Sequence, residues 1–195
     1  MIRTPLALVP YLFLAAFVAA GALWNLSKPP QEATIGSASI GGPFALTDQD
    51  GHARTNADYR GHYVLLYFGY TNCPDVCPTT LAVIADAMKQ MGPKAREVTP
   101  IFVTVDPARD TPKTLKTYLS AFGPQFVGLT GGAAAIKKVA GEYRVYYARH
   151  PLKGGGYAMD HSSELYLLGP QGTLVAFYDV GIDAKSLATD LNRRL

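Results

Sequence analysis

The chain carries two cysteines, Cys73 and Cys77, four residues apart in Asn72-Cys73-Pro74-Asp75-Val76-Cys77-Pro78. Two sulfurs at that spacing have two chemical uses. They close a disulfide after modest adjustment, or they grip one soft metal ion from the same side. In a helix, positions i and i+4 share a face with Cβ atoms about 5–6 Å apart, so either use survives whether the segment is helix or turn. The competing reading is a pair of inert core cysteines. The polar neighbours Asn72 and Asp75 and the prolines Pro74 and Pro78 speak against it. Two ligands do not complete a metal site, so a third donor has to come from elsewhere in the chain.

The elements that must hold these sulfurs are legible around them. Tyr63-Val64-Leu65-Leu66-Tyr67-Phe68 is a continuous apolar run of strand length that ends at Gly69. Runs of this kind suit a central strand covered on both faces. Open α/β sheets place their chemistry just past such a strand end. Proline disfavours a helical residue before it and suits the first position of a helix. The sequence therefore predicts a turned loop from Cys73 to Cys77 and a helix from near Pro78, through Thr79, to about Met91. Helix-start amides and the helix dipole would then favour thiolate over thiol.

A second buried strand is expected over Val98–Val105, followed by Asp106-Pro107-Ala108-Arg109-Asp110-Thr111-Pro112. Asp110 or Thr111 is placed to cap a helix from Pro112 to near Gly123. Asp106 and Asp110 read as caps and Arg109 partners rather than metal ligands. Phe126–Thr130 is a short strand, with a helix from Ala133 to about Tyr143 behind it. Lys153-Gly154-Gly155-Gly156 marks a hairpin tip or loop, and His150 beside it reads as an exposed loop residue, as do His52 and His62. A strand starting at or near His161 runs to Leu168, turns at Gly169-Pro170-Gln171-Gly172 and returns over Thr173–Tyr178. Leu187, Leu191 and Leu195 then define a closing helix from Asp183.

At the N-terminus no charged side chain occurs from Thr4 to Ser27, a length sufficient to cross a bilayer. Arg3 before it, Lys28 after it and Trp24 near its far end suit a single transmembrane helix with its N-terminus in the cytoplasm. Ala20-Gly21-Ala22 resembles a signal-peptidase site, but the apolar run exceeds a typical signal core. The expected organisation is an anchor over residues 1–27, a linker over 28–39 and a globular domain over 40–195. Without a long Arg- and Ser-rich presequence, the expected location is a bacterial inner membrane with the domain in the periplasm. A net charge of +3 with no basic block offers no footprint for nucleic acid.

Gly42-Pro43-Phe44-Ala45-Leu46-Thr47-Asp48-Gln49-Asp50-Gly51 looks like a hairpin ahead of the core. Hairpin, β-α-β, then β-β-α is the thioredoxin plan: an α/β fold with a mixed sheet flanked by helices and an N-terminal hairpin extension. In that plan the residue entering the last hairpin faces the cysteine loop. Thioredoxins put a proline before it; here the position falls around Met159-Asp160-His161.

Tyr67–Pro78, Val105–Pro112 and Asp160-His161-Ser162-Ser163 resemble the corresponding segments of the SCO/SenC family, as do Tyr143–Tyr147 and Leu168–Gly172. The likeness covers about residues 40–193. It implies a membrane-anchored, thioredoxin-like copper protein that helps assemble the copper-A centre of cytochrome c oxidase. The implied ligands fall on Cys73, Cys77 and His161, and the implied partners are the copper-A subunit and another periplasmic copper chaperone. Two thiolates and an imidazole suit Cu(I), with a fourth donor needed for Cu(II). The rival reading is a periplasmic thiol–disulfide reductase using Cys73 and Cys77 as its redox pair. A peroxidase of the same fold ranks behind both, since it has little need of His161.

Overall fold

A computed structural model describes residues 40–195 of the chain. The expected anchor (1–27) and linker (28–39) lie outside the described residues. Among the described residues no helix is long and apolar enough to cross a membrane.

The centre is a seven-stranded mixed sheet. Its strands are β1 (Ala45–Asp48), β2 (Ala53–Thr55), β3 (Tyr63–Gly69), β4 (Val98–Thr104), β5 (Val127–Thr130), β8 (Leu165–Leu168) and β9 (Leu174–Tyr178), in the spatial order β2-β1-β5-β4-β3-β8-β9. β3 pairs parallel with β4, and β4 with β5; the other pairings are antiparallel. Among the described residues four α-helices flank it: α1 (Val76–Met91), α2 (Pro112–Leu119), α3 (Ala133–Glu142) and α4 (Ala184–Arg194). The N-terminal hairpin is no loose appendage, because β1 pairs with β5 and widens the sheet.

β3 is central, as its composition demands. Val64 to Gly69 are all buried. Alternation sends Tyr67 toward Phe102, whose ring in turn packs on Tyr118 of α2. Phe68 points the other way, onto Tyr143 and Tyr166. Each such aromatic side chain, fully buried, contributes about 1.5–3 kcal/mol of transfer free energy. Local signals start two helices as expected. Thr111 accepts a hydrogen bond from the Thr114 amide at 3.2 Å with Pro112 behind it, and Asp183 accepts from the Ser186 amide at 2.9 Å.

Three boundaries differ from expectation. α1 begins at Val76 rather than Pro78, so Cys77 lies in its first turn. The first amides of a helix have no intrahelical acceptor, so a proline at the third position forfeits no bond and the preference at Cys77 is overridden. α2 stops at Leu119, short of Gly123. His161, expected to open the strand running to Leu168, instead ends a different one. β6 (Tyr147–Pro151) and β7 (Tyr157–His161) form their own two-stranded antiparallel sheet, with the expected tip at 153–156 between them. β8 starts afresh at Leu165.

Candidate metal centre

The strand, the loop and the first turn of α1 place the sulfurs. Past Gly69 the chain turns, with the Cys73 amide donating to the Tyr70 carbonyl at 3.2 Å. Cys73 Sγ then accepts from the Cys77 amide at 3.4 Å, so one sulfur sits over the helix start while the other is in its first turn. Cys77 is fully buried and Cys73 half-buried; both are free thiols. The 70s loop is held from the segment that follows β4. Asp110 is completely buried and accepts from the Thr71 amide (3.0 Å), the Thr71 hydroxyl (2.6 Å) and the Thr104 hydroxyl (2.6 Å).

His161 arrives from the β6–β7 hairpin, 84 residues after Cys77, and its Nε2 lies 3.4 Å from Cys77 Sγ. Its Nδ1 is 2.7 Å from the Ser162 carbonyl, which can only accept, so Nδ1 carries the proton. In the neutral ring Nε2 is then a lone pair aimed at the sulfurs, the arrangement that a metal-binding imidazole needs. Tyr70 stands edge-on to this ring at 5.7 Å and 89°, and Tyr67 at 6.4 Å. The two sulfurs and an imidazole nitrogen all lie within 4.8 Å of one another. It is the one such cluster of three or more His, Cys, Asp or Glu ligands among the described residues.

The hairpin that brings His161 is fastened by the same segment that holds the cysteine loop. Buried Asp106 takes an ion pair from Arg109 and, at 2.8 Å, a hydrogen bond from the Tyr157 hydroxyl. Arg109 also donates to the Tyr157 carbonyl at 3.0 Å. The Tyr157 ring lies between two guanidinium groups, Arg109 at 3.9 Å and Arg149 at 3.8 Å. Asp106 and Asp110 are thus structural, as expected, but as clamps on the two halves of the site; Thr111 is the side chain that caps α2. Two carboxyl groups four residues apart around Arg109, at a strand end, were the available signal. His150 pairs with Asp160 at 2.7 Å, while His52 and His62 are exposed and outside the cluster.

Electrostatics correct one expectation. The helix start was to favour thiolate, yet burial pushes the Cys77 thiol up to about 12. Desolvation of a fully buried sulfur outweighs the amides and dipole. Burial also lowers the His161 pKa, against the opposing pull of the Ser162 carbonyl, Asp160 and Glu164, so the ring is neutral at pH 7.

The SCO1/SenC family pattern matches residues 32–195. The chain belongs to the SCO1/SenC family. It is 41% identical over 155 residues to the mitochondrial SCO1 homolog 1 of Arabidopsis thaliana, covering 79% of this chain and 46% of that one. The chain thus spans about half the length of this curated relative. A solved structure of Bradyrhizobium japonicum ScoI with copper bound superposes with a TM-score of 0.76 at 47% identity, covering 80% of this chain and all of that one. BsSco, a Sco-family cytochrome c oxidase assembly protein in which a disulfide switch was identified, gives a TM-score of 0.63 at 26% identity over 80% of this chain and 92% of that one. The SCO1/SenC fold seen here is the thioredoxin-like mixed sheet with flanking helices that the element order implies.

Proposed function

We propose that this SCO1/SenC protein binds copper as cargo through Cys73, Cys77 and His161. The observation that carries this is the convergence, within 4.8 Å, of two sulfurs and an imidazole nitrogen from two separate elements. Metal bonds of about 2.0–2.3 Å to nitrogen and sulfur put the donors of a trigonal site about 3.5–4.0 Å apart. A small inward movement therefore closes the site. Three soft-to-intermediate donors suit Cu(I), whereas structural zinc takes four protein ligands. The copper-bound ScoI relative supports the choice of ion.

The reading extends to delivery. The protein hands copper to, or prepares, the copper-A subunit of cytochrome c oxidase, in line with the assembly role named for BsSco. It is loaded by another periplasmic copper chaperone or from free copper. It does so from a bacterial inner membrane, held by residues 1–27 and set off from it by residues 28–39, with the 40–195 domain in the periplasm. That Cys73 is half-exposed and hydrogen-bonded through its sulfur to the Cys77 amide favours a second activity. A thiolate at Cys73 attacks a partner disulfide, and Cys77 resolves the mixed disulfide, leaving the partner reduced and Cys73–Cys77 oxidised.

The deciding experiment is His161→Ala. Disulfide formation between Cys73 and Cys77 needs no imidazole and survives, while copper affinity, measured by competition with a chelator, falls at least tenfold. Cys73→Ser and Cys77→Ser abolish both. If His161→Ala binds copper normally and supports oxidase assembly in cells, His161 is structural and the reductase reading takes precedence.

A further inference from the structure

β6 and β7 pair antiparallel in a register that sets Ala148 opposite Asp160 and Tyr147 opposite His161. One step further along that register, Tyr146 stands opposite Ser162. Residues that face each other across an antiparallel ladder alternate between pairs that exchange two backbone hydrogen bonds and pairs that exchange none. Tyr146 and Ser162 exchange one, with a substitute for the other. The Ser162 amide donates to the Tyr146 carbonyl at 2.9 Å, as a bonded ladder pair requires. The Tyr146 amide, which would return the bond to the Ser162 carbonyl, donates instead to the Ser162 hydroxyl at 3.1 Å. The Ser162 carbonyl is thereby released from the ladder, and His161 Nδ1 lies 2.7 Å from it. Serine is one of the few residues whose short polar side chain competes with its own backbone in this way.

We propose that Ser162 is a positioning residue for the His161 ligand: its hydroxyl stands in for its own carbonyl in the β6–β7 ladder, and the freed carbonyl holds the ring with Nε2 toward the sulfurs. Metal-binding histidines commonly donate their second ring N–H to an acceptor that fixes tautomer and orientation. Here that acceptor is the main chain of the next residue, and its availability depends on a hydroxyl that never touches the ring. Without the hydroxyl, the Tyr146 amide and the His161 ring compete for one carbonyl, and a completed ladder pair turns that carbonyl toward β6. The same substitution accounts for β7 ending at His161 while β8 starts afresh at Leu165. The effect on copper rests on the copper reading above, whereas the hold on the ring is a property of the metal-free protein.

The test uses the full chain with Ser162→Ala, which deletes the hydroxyl, and Ser162→Thr, which keeps it. Ser163→Ala is the control, because the Ser163 hydroxyl donates to the His161 carbonyl, at 3.4 Å, rather than to the ladder. Imidazole nitrogen shifts in NMR of the metal-free protein at pH 7.5 read the tautomer, and chelator competition reads Cu(I) affinity. Wild type, Ser162→Thr and Ser163→Ala should carry the proton on Nδ1 and bind Cu(I) alike. Ser162→Ala should show a mixture containing the Nε2–H form, with Cu(I) affinity about ten- to a hundredfold lower. Disulfide formation between Cys73 and Cys77 should keep the wild-type rate throughout. A Ser162→Ala ring that stays in the Nδ1–H form overturns the inference, whatever its affinity, and so does a loss that Ser162→Thr fails to restore. Should Ser162→Ala not fold, the wild type alone decides: a slowly exchanging Nδ1 proton supports the inference, and a freely exchanging one or an Nε2–H ring overturns it. If the wild type binds no copper while the tautomer follows the hydroxyl as stated, the copper reading fails and the positioning of His161 stands.

Discussion

A Cβ added to Gly69 would stand 2.8 Å from Cys77 Sγ and 2.8 Å from Cε2 of Phe102. The absence of a side chain at the end of β3 is therefore what lets the helix bring its sulfur down onto the strand. Glycine weakens a strand interior, so its use here has a packing reason.

Gly69→Ala tests that contact. Elsewhere in a strand the change would stabilise by reducing unfolded-state entropy. Here overpacking should destabilise by about 1–3 kcal/mol and displace Cys77, lowering copper affinity as well. Thermal denaturation and chelator competition measure the two effects; a rise in stability with unchanged copper binding would show that the close approach is no constraint.

Asp110→Asn should loosen the cysteine loop. The side-chain oxygens of Asp110 face three donors, from Thr71 and Thr104, and an amide nitrogen in their place leaves at least one buried donor unpaired. The expected loss is about 1–3 kcal/mol in denaturant unfolding. Hydrogen exchange at the Thr71 amide should accelerate in the folded protein; exchange at the wild-type rate would count against the clamp.

Tyr157→Phe should weaken the other clamp selectively. It keeps the ring between Arg109 and Arg149 but removes the donor to Asp106. Copper affinity should fall, because the hairpin carrying His161 is less firmly placed, while the rate of Cys73–Cys77 disulfide formation stays at the wild-type value. An equal change in both would mean that the clamp serves the whole domain.

Stability of the metal-free protein should fall off on both sides of neutrality. The unfolded chain releases the Cys77 proton near 9.0 and the folded chain near 12. The folded state retains that proton longer, so stability is full below 9 and declines as pH rises through this window. For His161 the folded pKa is below the ordinary 6.5. The unfolded chain then takes up its proton first, and stability declines as pH falls below 6.5. Denaturation midpoints at pH 5, 7.5 and 10 should show both losses; Cys77→Ser should reduce the alkaline one, the remainder coming from tyrosines such as Tyr143 and Tyr166 whose pKa burial also raises, and His161→Gln should remove the acid one.

Copper binding at pH 7.5 should release at least one proton, from Cys77, because the metal takes the thiolate and the buried group begins as a thiol. Calorimetry in buffers of different ionisation enthalpy measures it. Binding without proton release would show that Cys77 enters as thiolate and that burial is not the dominant influence on it.

The sequence by itself determined whatever rests on neighbouring residues. The apolar run ending at Gly69, the two cysteines beyond it, the cap at Thr111 and the closing helix from Asp183 are written in local periodicity and turn chemistry and appear where expected, while the helix after the cysteines is present but starts two residues earlier. The membership of His161 in the site was also legible, through the resemblance of its segment to the SCO/SenC pattern. Which strand carries that histidine was not, because the break at Ser162–Glu164 depends on Ser162 bonding back to Tyr146, through a backbone bond of 2.9 Å and a side-chain bond of 3.1 Å. The protonation of Cys77 was likewise beyond the sequence. A helix start argues for thiolate, and only the packing of β3 around the sulfur, down to zero exposure, reverses the sign. Asp106 and Asp110 looked like caps because capping is local. Asp106 does pair with Arg109 as expected, but the further partners that make the two carboxyl groups clamps, Tyr157 and Thr71, lie 51 and 39 residues away, a distance in sequence that only the tertiary fold spans.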